Sequence, residues 1–223
     1  MADIKIKDLY SLDQTQAKEL LSNCEYPWEA LPKIKDFILE FAKTLSPDEY
    51  DYKGDNVWIA KSAKIYPNNY IAGPCIIGPE TEVRPGAFIR GNALVGEGCV
   101  VGNSTELKNV ILFNKVQVPH YNYVGDSILG FKAHMGAGSI TSNVKSDKKL
   151  VVVHNEGENI ETGLKKFGAM LGDNVEVGCN SVLNPGTVIC KESNVYPTSC
   201  VRGVIPEKSI HKNNGTIIKK KEN

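Results

Sequence analysis

The chain has 223 residues, of which 41% are hydrophobic and 23% charged, and its 26 Lys and Arg residues balance its 26 Asp and Glu residues. This composition is typical of a globular chain, and the balanced charge argues against a surface that attracts nucleic acid. No apolar run reaches the roughly 18 residues of a membrane span, and the first residues, MADIKIKDLYSL, lack a signal-peptide pattern, so we predict a cytoplasmic protein without membrane contact.

Residues 1–56 are predicted to form a helical segment. The stretch SLDQ, from Ser11 to Gln14, is a capping-box pattern, and PWEALPKIKDFILEFAKTL carries apolar residues at helical spacing. We expect the second, amphipathic helix to pack against the rest of the fold or to cap its first coil.

Residues 57–209 contain a six-residue repeat. In most repeats a small or β-branched residue follows the aliphatic one by four positions, and two steps, Leu107 to Leu112 and Val124 to Leu129, are shortened to five. The aliphatic positions are Ile59, Ile65, Ile71, Ile77, Val83, Ile89, Val95, Val101, Leu107, Leu112, Val118, Val124, Leu129, Met135, Leu171, Val177, Leu183, Ile189, Val195 and Val201.

A period of six matches neither an α-helix nor a single strand. It fits a solenoid in which each hexapeptide is a short strand plus a corner, with the aliphatic side chain pointing inward. Three hexapeptides per coil predict an all-β domain, a triangular prism of parallel strands.

Two further segments interrupt or follow the repeat. Residues from about 141 to 170 contain KLVVVHNEGENIETG, two extended arms around a turn, which predicts a hairpin-like loop leaving the prism. Long loops on rigid scaffolds commonly carry function. Residues 210–223 are predicted to be a solvated basic tail.

The cysteines and histidines do not have the spacing of a metal site. The six cysteines form no CxxC pair, so we predict reduced packing residues. The γ-class carbonic anhydrases bind zinc through three histidines on a left-handed β-helix, with a close His-x4-His pair. Here His120, His134, His154 and His211 are too widely spaced for such a pair, so we predict no metal.

Polar residues that depart from the repeat cluster between Arg84 and Asn143, in VRPGA, GNSTELK, PHYNYVGDS and GAGSITSN. A coil takes about 18 residues, so we expect Arg84, Glu106, Lys108 and Tyr123 to stack near one edge. Arg84 and Lys108 would suit a phosphate. His120, near a corner, could be a general base. Each of these side chains could instead be an ordinary solvated corner residue.

The motifs RPGA, VGNSTELK, PHYNYVGD and GAGSITSN resemble the acetyltransferase half of the bifunctional glucosamine-1-phosphate N-acetyltransferase/N-acetylglucosamine-1-phosphate uridyltransferases, which are hexapeptide-repeat acyltransferases. The resemblance covers about Ile59 to Ser209. It implies a left-handed parallel β-helix, a homotrimer, and transfer of an acetyl group from acetyl-CoA, without a metal, to the amine of a hexosamine 1-phosphate. Glucosamine 1-phosphate, used in UDP-N-acetylglucosamine or related nucleotide-sugar synthesis, is the leading acceptor.

The resemblance also implies roles for single residues. His120 matches the general base, and Pro119 and His134 stand where the family has glycine and asparagine. The residues that match substrate contacts are Arg84, Glu106, Lys108, Tyr123, Asn143 and Lys149, with His134 added at the substituted position. Ala137 and Cys179 match coenzyme A contacts.

Two alternatives stay open at this point. The substitution at His134 is compatible with an acyltransferase that uses another acceptor or acyl donor. Residues 1–58 lack the glycine-rich phosphate loop of a nucleotidyltransferase, which is compatible with a non-catalytic trimeric sugar-phosphate-binding scaffold. A separate nucleotidyltransferase is then a possible partner.

Overall fold

A computed structural model describes residues 1–221, and residues from 57 onward wind into a left-handed β-helix. The prism has three faces, each a ladder of short parallel strands. Two strands, β10 (Glu106–Leu112) and β12 (Tyr123–Leu129), run over a corner and contribute their first halves to one face and their second halves to the next. The predicted fold class is confirmed.

Face one contains β2 (Val57–Ala60), β5 (Cys75–Ile77), β8 (Ala93–Val95), the second halves of β10 and β12, β17 (Ala169–Leu171), β20 (Thr187–Ile189) and β23 (Val204–Ile205). β1 (Tyr50–Tyr52) adds to its edge by pairing antiparallel with β2.

Face two contains β3 (Lys64–Ile65), β6 (Glu82–Val83), β9 (Val100–Asn103), β11 (Gln117–His120), β13 (His134–Met135), β18 (Glu176–Val177), β21 (Asn194–Val195) and β24 (Ser209–His211). Face three contains β4 (Tyr70–Ile71), β7 (Phe88–Ile89), the first halves of β10 and β12, β14 (Ile140–Thr141), β19 (Val182–Leu183) and β22 (Cys200–Val201).

The prism interior is filled by the aliphatic residues of the repeat. From Ile77 to Val201 these positions are buried, whereas Ile59, Ile65 and Ile71 in the first coil are half-buried. The smaller residues of the repeat, such as Thr105 and Ser181, are also buried, and their hydroxyls donate to backbone carbonyls. A buried hydroxyl needs such a partner, so the small positions serve the coil geometry as well as the packing.

The two five-residue steps make tight corners. Asn109 and Asp126 lie at equivalent positions of successive coils, because Lys108 pairs with Gly125 and Val110 with Ser127. Both adopt left-handed backbone conformations, with φ of 56° and 48°. Asn and Asp tolerate this conformation better than most residues.

The N-terminal segment covers face one. Its helices are α1 (Ile6–Leu9), α2 (Lys18–Ser22) and α3 (Ile34–Phe41), with 3-10 helices at Leu12–Gln14, Pro27–Lys33 and Ala42–Thr44. α3 packs on β8 and β10, and the 3-10 helix Pro27–Lys33 packs on β12. The outward residues of face one are apolar; Trp58 and Val204 at its ends are half-buried, and the rest are buried: Ile76, Leu94, Ile111, Ile128, Met170 and Val188. The N-terminal segment therefore packs against the prism, as the first of the two expectations for its second helix had it.

The predicted capping box is wrong. The Ser11 side chain caps no helix, and its backbone N–H donates instead to Asp173 Oδ2 at 2.8 Å. The other Asp173 oxygen accepts from the Phe131 N–H at 2.8 Å, and the Asp173 N–H donates to the Leu9 carbonyl at 3.0 Å. This buried carboxylate therefore ties the N-terminal segment to the prism.

The inserted segment contains a hairpin of β15 (Val152–Asn155) and β16 (Glu158–Glu161). It lies along the prism and does not leave it: Val151 and Val153 are buried, and Asn155 exchanges hydrogen bonds with the backbone of Ala2. In the tail, β25 (Ile217–Lys219) pairs antiparallel with β24, and residues 222 and 223 lie outside the described residues.

All six cysteines are free. Cys75, Cys99 and Cys190 are buried, and burial raises the pKa of each thiol to about 12, whereas Cys179 and Cys200 are exposed. The packing role predicted for the cysteines therefore does not extend to Cys179 and Cys200. Within residues 1–221, no helix is long and apolar enough to cross a membrane.

His211 provides a test of the interior. It pairs with Val195 and so takes an inward position of the last coil, where it is 5% exposed and its Nδ1 has no hydrogen-bond partner among the described residues. Burial lowers the pKa of His211 below the ordinary 6.5. Because the unfolded chain then binds the proton more readily, this residue's contribution to stability is present above pH 6.5 and is lost as the pH falls toward the lowered pKa.

We therefore predict that His211→Val reduces the loss of thermal stability between pH 8 and pH 5. Melting temperatures of the variant and the wild type across that range measure the effect. An identical acid dependence in both proteins would show that another group is responsible.

Candidate functional site

The polar residues singled out in the sequence fall mainly on the two edges of face three. We call the edge between faces two and three, which carries Asn103, His120, Ala137 and Cys179, the histidine edge. We call the edge between faces three and one, which carries Lys108, Asp126 and Asn143, the lysine edge.

The histidine edge stacks three predicted site residues in consecutive coils. His120 ends β11 and pairs with Asn103. The Gly138 N–H donates to the His120 carbonyl at 3.0 Å, and the Asn180 N–H donates to the Ala137 carbonyl at 2.8 Å. This register places Ala137 beside His120 and Cys179 beside Ala137, with neighbouring coils about 4.8 Å apart.

The corner that carries His120 is held by Asn122. This buried side chain accepts from the His120 N–H at 3.1 Å and donates to the carbonyls of Gly136 and Ser139 at 2.9 and 3.1 Å. The His120 side chain is itself exposed. The backbone of the histidine is thus fixed while its imidazole is accessible from outside the prism.

The lysine edge is a network of hydrogen bonds around a buried acid. Lys108 Nζ donates to both oxygens of Asp126, at 2.9 and 3.0 Å, and Asn143 Nδ2 donates to Asp126 Oδ2 at 2.6 Å. Tyr123 pairs with Glu106 in the neighbouring coil. The predicted substrate residues Glu106, Lys108, Tyr123 and Asn143 are therefore together.

Tyr123 is kept protonated in this setting. Burial, followed by the negative charges of Asp126 and Glu106, raises the pKa of the phenol. Its hydroxyl lies over Gly125: a Cβ there would be 2.5 Å from the Tyr123 oxygen and 3.0 Å from Asn143 Nδ2. Only glycine leaves room for the two side chains to meet.

Arg84 does not join the lysine edge, so the expectation that it stacks there is wrong. Its Nε lies 3.3 Å from Glu82 on face two, and its N–H donates to the Val101 carbonyl. Arg84 lies 24 residues before Lys108, which is one coil of 18 plus one hexapeptide, and the extra hexapeptide shifts it by a whole face.

Arg90 occupies the position expected for Arg84. It lies 18 residues before Lys108, and its N–H donates to the Leu107 carbonyl at 2.9 Å, which pairs Arg90 with Lys108. Its Nη1 donates to Glu106 at 2.8 Å. The signal in the sequence was a second arginine one coil before the lysine.

Two predicted residues lie away from both edges. His134 is at the start of its strand on face two, with Nδ1 2.7 Å from Glu176. Lys149 is exposed in the inserted segment, where its N–H donates to Asp147 at 3.0 Å. Across residues 1–221, His, Cys, Asp and Glu side chains form no group of three that could hold a metal ion.

The sequence reasoning missed Asp126 as well as Arg90. Asp126 belongs to the stretch PHYNYVGDS, and the available signal was its place in a five-residue step, where a tight corner turns a short side chain toward the neighbouring coils.

Known proteins match most of the chain. Residues 71–218 match the family described as the GMPPB C-terminal domain. The bifunctional protein GlmU of Methanococcus maripaludis (strain C5) is 32% identical over 223 residues, which cover 98% of this chain and 54% of that protein. The chain spans about half the length of the curated relatives it matches.

Two other matches differ in strength. The bifunctional sugar-1-phosphate nucleotidylyltransferase/acetyltransferase of Sulfurisphaera tokodaii is 32% identical over 179 residues, 78% of this chain and 44% of that protein. A solved hexapeptide transferase family protein from Anaplasma phagocytophilum covers 75% of this chain and 81% of its own, with 16% identity and a TM-score of 0.42. Likeness at that level carries no information about substrate.

Gly125 tests the geometry of the lysine edge. Gly125→Ala should destabilise the protein by about 1–3 kcal/mol, because the added methyl group overlaps Tyr123 and Asn143. In a double-mutant cycle, the same change should cost less in a Tyr123→Ala background, where the nearest overlapping atoms are gone. Chemical denaturation measures both, and additive effects would contradict the contact.

Proposed function

The chain belongs to the family of the GMPPB C-terminal domain, and from this premise we propose that it is an acetyl-CoA-dependent N-acetyltransferase acting on an amino-sugar 1-phosphate. Glucosamine 1-phosphate is the acceptor we favour, in UDP-N-acetylglucosamine or related nucleotide-sugar synthesis in the cytoplasm. The observation that carries the proposal is the stack of His120, Ala137 and Cys179 on one edge of face three, with Lys108, Tyr123 and Asn143 on the other.

Acetyl-CoA would lie along the histidine edge. Its pantetheine arm would follow the column from Cys179 to Ala137, which brings the thioester to His120. In the GAGS turn, the N–H groups of Gly136, Gly138 and Ser139 all donate to carbonyls. The Ala137 N–H, for which residues 1–221 offer no carbonyl acceptor, is the donor we assign to the oxyanion of the tetrahedral intermediate.

His120 would act as the general base. The neutral amine attacks the thioester carbonyl carbon, His120 takes the proton that the nitrogen loses, and the C–S bond breaks as the intermediate collapses. The sulfur leaves as a thiolate, which takes up a proton to give free coenzyme A. An imidazole suits this role because its neutral form is abundant near pH 7.

The acceptor would bind at the lysine edge. Lys108 and Arg90 would contact the phosphate, and Arg90 takes the role that the resemblance assigned to Arg84. Tyr123, Asn143 and Glu106 would contact the sugar hydroxyls. Lys149 and His134 lie outside this group, so we assign neither of them a contact to the acceptor.

The distance between the edges supports a homotrimer. His120 and Asp126 lie at the two ends of face three, six residue steps or up to about 20 Å apart, whereas the amine and phosphate of a hexosamine 1-phosphate are on neighbouring carbons. We therefore propose that the histidine edge of one copy meets the lysine edge of the next. The outward column of face three includes Tyr70, Phe88 and Cys200, which are exposed in the single chain and would be covered in such an assembly.

An acyltransferase with another acceptor is the second candidate. It is favoured by His134, which stands where the related family has asparagine and lies 2.7 Å from Glu176. A non-catalytic sugar-phosphate-binding scaffold would bind the acceptor without turnover. In the favoured reading, a nucleotidyltransferase, an activity that the S. tokodaii relative carries in its name, would consume the product.

The role of His120 is tested by release of free thiol from acetyl-CoA in the presence of glucosamine 1-phosphate. His120→Ala should lower kcat by about 100-fold or more, the usual contribution of a general base. His154→Ala, which removes an exposed histidine of the hairpin, is the matched control and should keep wild-type turnover. Equal activity of the two variants would contradict the assignment.

Substitutions of Arg90 and Arg84 distinguish the phosphate contact assigned from the structure from the one assigned from the motif RPGA. Arg90→Ala should raise the KM for the acceptor by about tenfold, because a charge-assisted contact to phosphate is lost. Arg84→Ala should change it less, since Arg84 lies on face two. Steady-state kinetics with varied acceptor measure both, and a larger effect at Arg84 would restore the assignment made from RPGA.

A further inference from the structure

Asp126 is a buried acid, and both oxygens of its carboxylate are hydrogen-bonded. It is 4% exposed, and its two oxygens accept four hydrogen bonds. Two come from Lys108 Nζ, one from Asn109 Nδ2 at 3.0 Å, and one from Asn143 Nδ2 at 2.6 Å. An unpaired carboxylate would be costly to bury, so this arrangement holds Asp126 and its three neighbours in one geometry.

The tight corner is what brings these groups together. Asp126 is the left-handed residue of a five-residue step, and its carbonyl accepts from the Gly168 N–H at 2.8 Å, where the inserted segment returns to the prism. Its side chain therefore meets the preceding coil at Lys108 and Asn109 and the following one at Asn143. A corner of ordinary length would place this residue differently.

The network decides which groups remain for a ligand. An ammonium has three N–H donors, and Lys108 uses two on Asp126, which leaves one. Asn143 Nδ2 donates to Asp126, and the Tyr123 hydroxyl lies beside it over Gly125, so the Asn143 side-chain oxygen and the Tyr123 O–H remain available. The free Lys108 N–H and the Tyr123 O–H are two donors beside one acceptor, the Asn143 side-chain oxygen. This set suits a phosphate oxygen with a neighbouring sugar hydroxyl.

The N-terminal segment, which packs on face one, also contacts this network. Asn109 Nδ2 donates to the Leu31 carbonyl at 3.2 Å as well as to Asp126. The Trp28 ring packs 5.6 Å from that of Phe167, whose N–H donates to the Asn143 carbonyl at 3.0 Å. The 3-10 helix Pro27–Lys33, which precedes the residues matched by the family, thus supports two of the three neighbours of Asp126, Asn109 directly and Asn143 through Phe167.

We propose that Asp126 is a positioning residue of the acceptor site, which orients Lys108 and Asn143 and is itself held through Asn109 by the N-terminal segment. This inference rests on the proposed function, because it assigns the acceptor to the lysine edge. Asp126 acts through the side chains it aligns and takes no part in proton transfer at the amine.

Asp126→Asn is the first test, because it keeps the shape and removes the charge that holds Lys108. The KM for glucosamine 1-phosphate should rise by about tenfold or more, while the KM for acetyl-CoA stays within about twofold. Asn109→Ala should give a smaller rise in the same constant. It removes the link to Leu31 without changing a charge, so it keeps the test available if Asp126→Asn does not fold.

The matched control is Asp173→Asn. Asp173 is also a buried carboxylate that ties the N-terminal segment to the prism, but its partners are Ser11, Phe131 and Lys191, away from the lysine edge. It should lower the melting temperature and leave the acceptor KM unchanged. A rise in acceptor KM equal to that of Asp126→Asn would show a general effect of stability and overturn the positioning role.

A second readout does not depend on turnover. Lys108 should react slowly with acetic anhydride in the wild type and several-fold faster in Asp126→Asn, as measured by peptide mass spectrometry on the full-length folded proteins. Unchanged labelling, or an acceptor KM within about twofold of wild type, would overturn the proposal. Failure of the wild type to acetylate any hexosamine phosphate would instead remove the proposed function, and the labelling would still decide whether Asp126 holds Lys108.

Discussion

From Ile77 to Val201 each repeat of the prism places an aliphatic side chain in a closed interior, and the positions of the faces and edges depend on that packing. A side chain that left the interior would expose apolar surface and open a cavity, so the register of every coil is strongly fixed. Corners consequently recur at set positions. Polar residues placed at corners then form columns along the edges, as His120, Ala137 and Cys179 do.

Departures from the repeat are where the structure gains specific features. The two five-residue steps at Asn109 and Asp126 tighten one edge and turn a half-buried amide and a buried carboxylate toward each other. At that edge Arg90, Glu106, Lys108 and Asp126 alternate in charge. Their formal charges cancel, so the sugar substrate would be recognised more by the directions of the free hydrogen-bonding groups than by a net electrostatic field.

The period of six was enough to predict the solenoid and its inward residues, because both follow from local spacing. The hairpin followed from two extended arms around a turn, but its packing along the prism did not. The period was also enough to separate the two arginines, because 24 residues from Arg84 to Lys108 are a coil plus one hexapeptide, whereas the 18 from Arg90 are one coil. The period could not show which side chains meet at an edge, such as Asp126 with Lys108 and Asn143. The packing of the N-terminal segment on face one could not be predicted either. Three successive apolar residues in strands such as Cys75–Ile77 do not indicate which segment packs on them.

The most direct test of the account is the product that purified protein forms from acetyl-CoA and glucosamine 1-phosphate, identified by nuclear magnetic resonance. The account predicts N-acetylglucosamine 1-phosphate, with the acetyl group in an amide on the sugar nitrogen and free coenzyme A formed in equal amount. An acetyl ester on a hydroxyl oxygen, or acetyl-CoA left unconsumed with this acceptor, would contradict it.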